Sequence, residues 1–141
     1  MLPAALRRCL TDELTPEDWY ELVNSKVFFW LDEARLARHR NAYGEADQLV
    51  LTIDAKRLLD RYGDIASVSP INTGNARRAA APRNRSTFVP YQRWIQDGWE
   101  AECIPGRASR PANHRAVELT VPDSVPDILN YVTNVAPLVG K

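Results

Sequence analysis

The sequence contains few cysteines and histidines, and this excludes two kinds of stabilising site. Cys9 and Cys103 are its only cysteines and form no CxxC pair. Two distant cysteines predict reduced, buried or half-buried side chains rather than a disulfide framework. The two histidines, His39 and His114, belong to no Cys/His set with zinc spacing. We therefore predict no metal site.

Long apolar runs are also missing. No stretch approaches the roughly 20 residues that a membrane-spanning helix needs. The first residues, "MLPAALRRCLTDELTPEDW", lack the charged-then-apolar order of a signal peptide. The expected setting is the cytoplasm of a bacterial cell, with no membrane partner.

Several common catalytic motifs are absent as well. The chain has no GxGxxG, no phosphate-binding Walker loop and no Gly-x-Ser-x-Gly. These absences argue against a Rossmann-type dinucleotide site and against a serine hydrolase of the nucleophile-elbow type.

Acidic residues are unevenly distributed, although the 18 basic and 18 acidic residues balance. Residues 65–96 contain no acid but hold five arginines, namely Arg77, Arg78, Arg83, Arg85 and Arg93. A locally basic surface on a neutral protein favours an anionic partner, such as nucleic acid. The same stretch includes "NTGN", whose backbone N–H groups suit an anion-binding turn, with Gly74 free to take positive φ. The alternative is an ordinary polar turn followed by solvated arginines.

The remaining pattern predicts one mixed α/β (α+β) domain over residues 1–141. Thr15 and Asp54 stand where N-caps are expected, and Asp18 completes a weak capping box. Predicted helices cover residues 3–10, 16–23, 33–41, 55–62 and 91–102, the last with Trp94 and Ile95 facing inward. Predicted strands cover residues 26–31, 48–53, 65–69, 116–121 and 130–135. The first strand, "KVFFWL", is apolar throughout and is expected to be buried on both faces.

Glu118 lies in the middle of the predicted strand "AVELTV". Because side chains alternate along a strand, Ala116, Glu118 and Thr120 share one face. Alternation allows two interpretations. The glutamate either faces water on the polar side of a half-buried strand or is held beneath a ligand cleft.

Three segments in order resemble a known family. "VFFWLDEARL", "SPINTGNA" and "RAVELTVPDSVPDI" are similar to segments of the DarT-like ADP-ribosyltransferases. The runs "VFFWL" and "SPINTG" also resemble an uncharacterised bacterial family that looks like a distant branch of the same superfamily. Those enzymes modify thymidine in single-stranded DNA. Thr73 stands where the family's loop usually has an acid.

The resemblance implies an ADP-ribosyltransferase-like fold with two small sheets, flanking helices and NAD held between the sheets. Glu118 would be the catalytic residue, and Phe29, Arg35 and Asn75 would contact NAD. The arginines of residues 77–93 would contact phosphate of NAD or nucleic acid.

One family feature is missing. The family's N-terminal segment, with a Tyr-His pair that grips NAD, has no counterpart in residues 1–9. The sequence therefore predicts an N-terminally truncated domain or one that has lost its grip on NAD. The alternative function is a non-catalytic scaffold that binds an anionic partner through its arginine-rich loop.

Overall fold

The computed structural model describes residues 1–43, 47–76 and 80–137. Their fold is mixed α+β, as predicted, with two small antiparallel sheets and helices beside them. The α-helices are α1 (Pro3–Cys9), α2 (Pro16–Asn24), α3 (Glu33–Tyr43), α4 (Ala55–Tyr62) and α5 (Tyr91–Asp97). The strands are β1 (Lys26–Trp30), β2 (Leu49–Ile53), β3 (Ser67–Ser69), β4 (Val89–Pro90), β5 (Glu118–Pro122) and β6 (Val132–Pro137). Short 3-10 helices cover Arg85–Thr87 and Ile128–Tyr131.

The predicted helix starts are confirmed by their caps. Thr15 accepts a hydrogen bond from the backbone N–H of Asp18, whose carboxylate in turn accepts from the Thr15 backbone, so the capping box is complete. Asp54 caps α4 by accepting from the backbone N–H of Arg57. Helix α5 ends earlier than predicted. Gly98 takes φ 63, a left-handed conformation that ends the helix and that glycine adopts readily.

The larger sheet has the strand order β1-β5-β3-β4, and all its pairs are antiparallel. Directly paired residues share a face. Leu119 pairs with Phe29 and Val68, so these three point to one side. Glu118 pairs with Trp30 and Ser69, so these three point to the other side.

Each face of the larger sheet is covered by its own hydrophobic cluster. On the Leu119 face, Val68, Val89, Leu119 and Val121 pack against side chains that include Leu58, Tyr62, Trp99 and Tyr131. The other cluster contains Leu6, Cys9, Trp19, Ala76 and Phe88, with Phe28 of β1 packed against it. The centre of the sheet is therefore an inner layer, and Ser69, Glu118 and Thr120 on its polar face are buried.

The smaller sheet pairs β2 with β6. It joins the rest of the fold through the Asp54 backbone N–H, which donates to the Tyr131 carbonyl at 2.8 Å. Asp127 strengthens the same junction, because its carboxylate accepts hydrogen bonds from the hydroxyls of Tyr62 and Tyr131. The segment before β6 is thus tied to helix α4.

Three packing predictions were wrong. Strand β1 is an edge strand, and all five of its residues are only half-buried. Ile95 is 56% exposed, whereas Trp94 of the same helix packs against the first cluster as predicted. Cys103 is exposed, although Cys9 is buried as expected, and both thiols are free.

We predict that Asp127→Asn lowers the pKa of Tyr131. The hydrogen bond from Tyr131 to the Asp127 carboxylate, together with burial, raises that pKa to about 12. Loss of the carboxylate charge should return it toward the ordinary value of about 10. Titration of carbon-13-labelled tyrosine by NMR measures the change. The control Asp123→Asn alters an exposed carboxylate and should leave Tyr131 unchanged; an equal shift in both variants would contradict the assignment.

Candidate functional site

Glu118 is the first residue of β5 and lies inside the larger sheet, with β1 on one side and β3 on the other. Only 4% of the residue is exposed, and Thr120 on the same face is fully buried. The interpretation that this face is the solvated side of a half-buried strand is therefore wrong. The polar face is closed by the second hydrophobic cluster and by the loop after β3.

One oxygen of Glu118 accepts three hydrogen bonds. Oε1 receives the Ser69 hydroxyl at 2.7 Å, the Thr73 hydroxyl at 2.8 Å and the Thr73 backbone N–H at 3.1 Å. Among the described residues, none donates to Oε2. The described residues thus fix the carboxylate through one of its two oxygens.

The predicted anion-binding turn binds this carboxylate. Asn72 organises the turn, since its side-chain oxygen accepts from the Gly74 N–H at 3.2 Å and its carbonyl accepts from the Asn75 N–H at 3.4 Å. Thr73 then directs both its N–H and its hydroxyl at Glu118. Gly74 forms this turn without a positive φ. The anion that the turn holds thus belongs to the chain itself.

Two buried side chains donate hydrogen bonds to the carbonyl of Thr73. The indole N–H of Trp19 donates to it at 3.2 Å, and Nη1 of Arg83 donates to it at 3.2 Å. Nη1 of Arg83 also lies 3.4 Å from the Asn72 carbonyl. Arg83 thereby spans the two carbonyls on either side of Thr73.

Burial is the main electrostatic influence at this site. It raises the pKa of Glu118, because a carboxylate loses its hydration inside the protein. Hydrogen bonds from Ser69 and Thr73, and the positive charge of Arg83, oppose the increase without cancelling it. Burial likewise lowers the pKa of Arg83, and the nearby Cys9 and Glu118 oppose that decrease.

The predicted anion-contacting arginines have different environments. Arg83 is only 2% exposed and donates to backbone carbonyls. It therefore cannot contact nucleic acid at the protein surface. Arg85 is exposed, in the 3-10 helix that follows. Arg77 and Arg78 lie outside the described residues.

The structure does not bring all the predicted NAD-contacting residues together. Asn75 is exposed in the same loop as Thr73. Phe29 points to the opposite face of the sheet from Glu118, where it packs against the first cluster. The aromatic residue on the Glu118 face is Trp30, its direct partner in β1.

Arg35 lies in an open cleft of about 490 Å³ at the end of β1. The cleft is lined by Leu31, Asp32, Arg35, Trp94 and residues 112–117. Glu118 itself does not line it, but the adjacent residue, Val117, does. The cleft therefore reaches the residue directly before β5, and the Glu118 carboxylate is not part of its wall.

Sequence reasoning missed Ser69, Trp19 and Trp30. Ser69 could have been found from the "SVS" of β3. The two serines on either side of Val68 share one face of the strand, and a polar face needs a polar partner when it is buried. The contact of Trp19 with Thr73 bridges 54 residues and left no local signal.

The described residues contain neither a membrane-spanning helix nor a metal-binding cluster. No helix in this part of the chain has the length and apolar character to cross a membrane. Within the same ranges, no group of three or more His, Cys, Asp or Glu side chains is arranged to hold a metal ion.

Comparison with known proteins places the chain in a family. Residues 1–132 match the family of unknown function DUF7002, so the chain belongs to that family. Neither a curated protein nor a solved structure matches the chain.

We predict that Glu118→Gln becomes more stable relative to wild type as the pH rises. The folded-state pKa of Glu118 lies above its unfolded value, so the cost of ionising it in the fold is absent in acid and grows as the pH rises through the folded pKa. Glutamine keeps the acceptor oxygen without that cost. Urea unfolding at pH values from about 4 to 8, which span the ordinary glutamate pKa, measures the difference.

The matched control is Glu100→Gln, which changes an exposed glutamate. Its stability difference from wild type should stay nearly constant over the same pH range. A Glu118→Gln difference that is equally flat would show that burial does not govern this carboxylate.

Proposed function

We propose that this protein transfers ADP-ribose from NAD to a nucleic acid or another acceptor in the cytoplasm, with Glu118 as the catalytic residue. One observation carries the proposal: a buried carboxylate is fixed by three donors on Oε1, while none of the described residues donates to Oε2. Such preorganisation suits a residue that must act at a defined place. The resemblance of the Glu118, Thr73 and Phe29 segments to DarT-like enzymes supports the same reaction.

In this reaction the bond between the nicotinamide nitrogen and the ribose carbon of NAD breaks, and nicotinamide leaves with the electron pair. The ribose carbon gains positive charge until an oxygen or nitrogen of the acceptor bonds to it and loses a proton. An ionised Glu118 would stabilise that charge most strongly in a site shielded from water. Oε2, to which none of the described residues donates, could also accept a hydrogen bond from the ribose or the acceptor.

The other residues fit this function to different degrees. Arg35 has a charge suited to the phosphates of NAD and lies in the cleft beside the start of β5. Asn75 is accessible in the loop that holds Glu118. Phe29 lies on the opposite face of the sheet from Glu118, so it would not contact a substrate there. Trp30 lies on the Glu118 face and would make that contact.

The scaffold alternative has less support. It depends on an arginine-rich surface, and the burial of Arg83 removes one arginine from that surface. Arg85 remains exposed, and we keep it as a candidate contact for an anionic acceptor.

We expect wild-type protein incubated with NAD labelled in its adenylate part and with single-stranded DNA or RNA to label the acceptor. Glu118→Gln should reduce the rate by about a hundred-fold or more, because a neutral amide supplies no charge to the transition state. Glu100→Gln should transfer at the wild-type rate. Equal labelling by wild type and Glu118→Gln, or labelling by neither, would overturn the proposal.

The pH profile provides a separate test of the same residue. Transfer needs ionised Glu118, so the rate should rise with pH through the pKa of this group. Thr73→Val removes one hydrogen bond that favours the ionised form. The rise should therefore move to higher pH in Thr73→Val, and an unmoved profile would show that another group controls it.

A further inference from the structure

The loop that holds Glu118 is itself held by two side chains from distant parts of the chain. Trp19 lies in α2 and Arg83 lies in the segment before β4. Both donate to the Thr73 carbonyl, each at 3.2 Å. They also contact each other, since the Arg83 guanidinium lies 5.9 Å from the centre of the Trp19 ring.

We propose that Arg83 and Trp19 are positioning residues for Glu118, acting through the peptide groups on either side of Thr73. This inference deepens the proposed function and rests on it for its catalytic meaning. Both residues are buried, and their hydrogen bonds reach the backbone of the Thr73 loop rather than the Glu118 carboxylate. They therefore position Glu118 through the loop, and the charge of Arg83 acts on the carboxylate in addition.

The hydrogen bonds give this effect a direct route. Nη1 of Arg83 contacts the Asn72 carbonyl, and the N–H of the same peptide group donates to Glu118 Oε1. A positively charged donor on the carbonyl polarises the peptide and makes its N–H a stronger donor to the carboxylate. The bonds to the Thr73 carbonyl fix the next peptide, so the Thr73 hydroxyl stays directed at Oε1.

Arg83 is also fixed by hydrogen bonds that do not involve the Thr73 loop, so it can hold that loop in place. Its Nε donates to the Ala81 carbonyl at 3.1 Å. Its backbone N–H donates to the Cys9 carbonyl at 2.8 Å, and its carbonyl accepts from the Thr11 backbone N–H at 3.0 Å. The arginine is thus fixed to the end of α1 and to the residues that follow it, independently of Glu118.

The experiment measures the pKa of Glu118 directly in the wild type and in three folded variants. Glutamate labelled with carbon-13 at its carboxyl carbon is titrated by NMR, and Glu118→Gln identifies the resonance. Arg83→Met should raise the pKa of Glu118, because both the charge and the bridge between carbonyls are lost. Arg83→Lys keeps the charge without the forked geometry, so it should raise the pKa less. Trp19→Phe removes one neutral donor and should also raise it less.

Each residue type has a matched control. Arg85→Met removes an exposed arginine two positions away, and Trp94→Phe removes an indole outside the loop. Neither should move the pKa of Glu118. An unchanged Glu118 pKa in folded Arg83→Met, or an equal rise in Arg85→Met, would overturn the proposal. If Arg83→Met does not fold, Arg83→Lys and Trp19→Phe decide by the same criterion.

Kinetics separate positioning from general destabilisation. In folded Arg83→Lys, kcat for ADP-ribose transfer should fall by about ten-fold while KM for NAD changes little, because misplacement of a catalytic group acts on the reaction and not on remote binding. A KM increase with unchanged kcat would contradict positioning. If wild type transfers nothing, the proposed function fails, and the NMR titration still decides whether Arg83 and Trp19 control the carboxylate.

Discussion

A carboxylate buried inside a sheet needs hydrogen-bond donors, and in this protein that need connects segments far apart in the sequence. Glu118 Oε1 is satisfied by Ser69 and Thr73, which lie 49 and 45 residues away. Thr73 in turn depends on Trp19 and Arg83. An unpaired buried charge would cost several kcal/mol. The hydrogen bonds to Glu118 and to the Thr73 carbonyl therefore fix the turn after β3 relative to helix α2 and to the carboxylate.

The long stretch between β3 and β4 is anchored at Arg83 and Asn84. Asn84, beside Arg83, is fully buried and donates to the Thr11 hydroxyl and the Cys103 carbonyl. Together with the backbone bonds of Arg83 to Cys9 and Thr11, these contacts tie the stretch to the segment after α1. The basic composition that suggested a surface for anions thus serves, at Arg83, to hold backbone carbonyls inside the fold.

A buried, ionisable glutamate weakens a fold that an apolar residue could stabilise. Proteins retain such groups where function requires them, and active sites commonly show this conflict between stability and activity. Here the carboxylate lies on an inner layer between two hydrophobic clusters and one residue away from an open cleft. That placement supports a catalytic role for Glu118 and gives the DUF7002 family, to which the chain belongs, a defined residue at which to test function.

The sequence by itself determined the features that depend on neighbours three or four residues away or on alternation. These include the caps at Thr15 and Asp54, the approximate bounds of most helices and strands, and the shared face of Glu118 and Thr120. Only the tertiary structure decided which face is buried, that Trp30 rather than Phe29 lies beside Glu118, and that Arg83 points inward. The reason is physical: capping and alternation are local, whereas the partners of a buried charge are chosen by strand register and packing between segments that only the folded chain brings together.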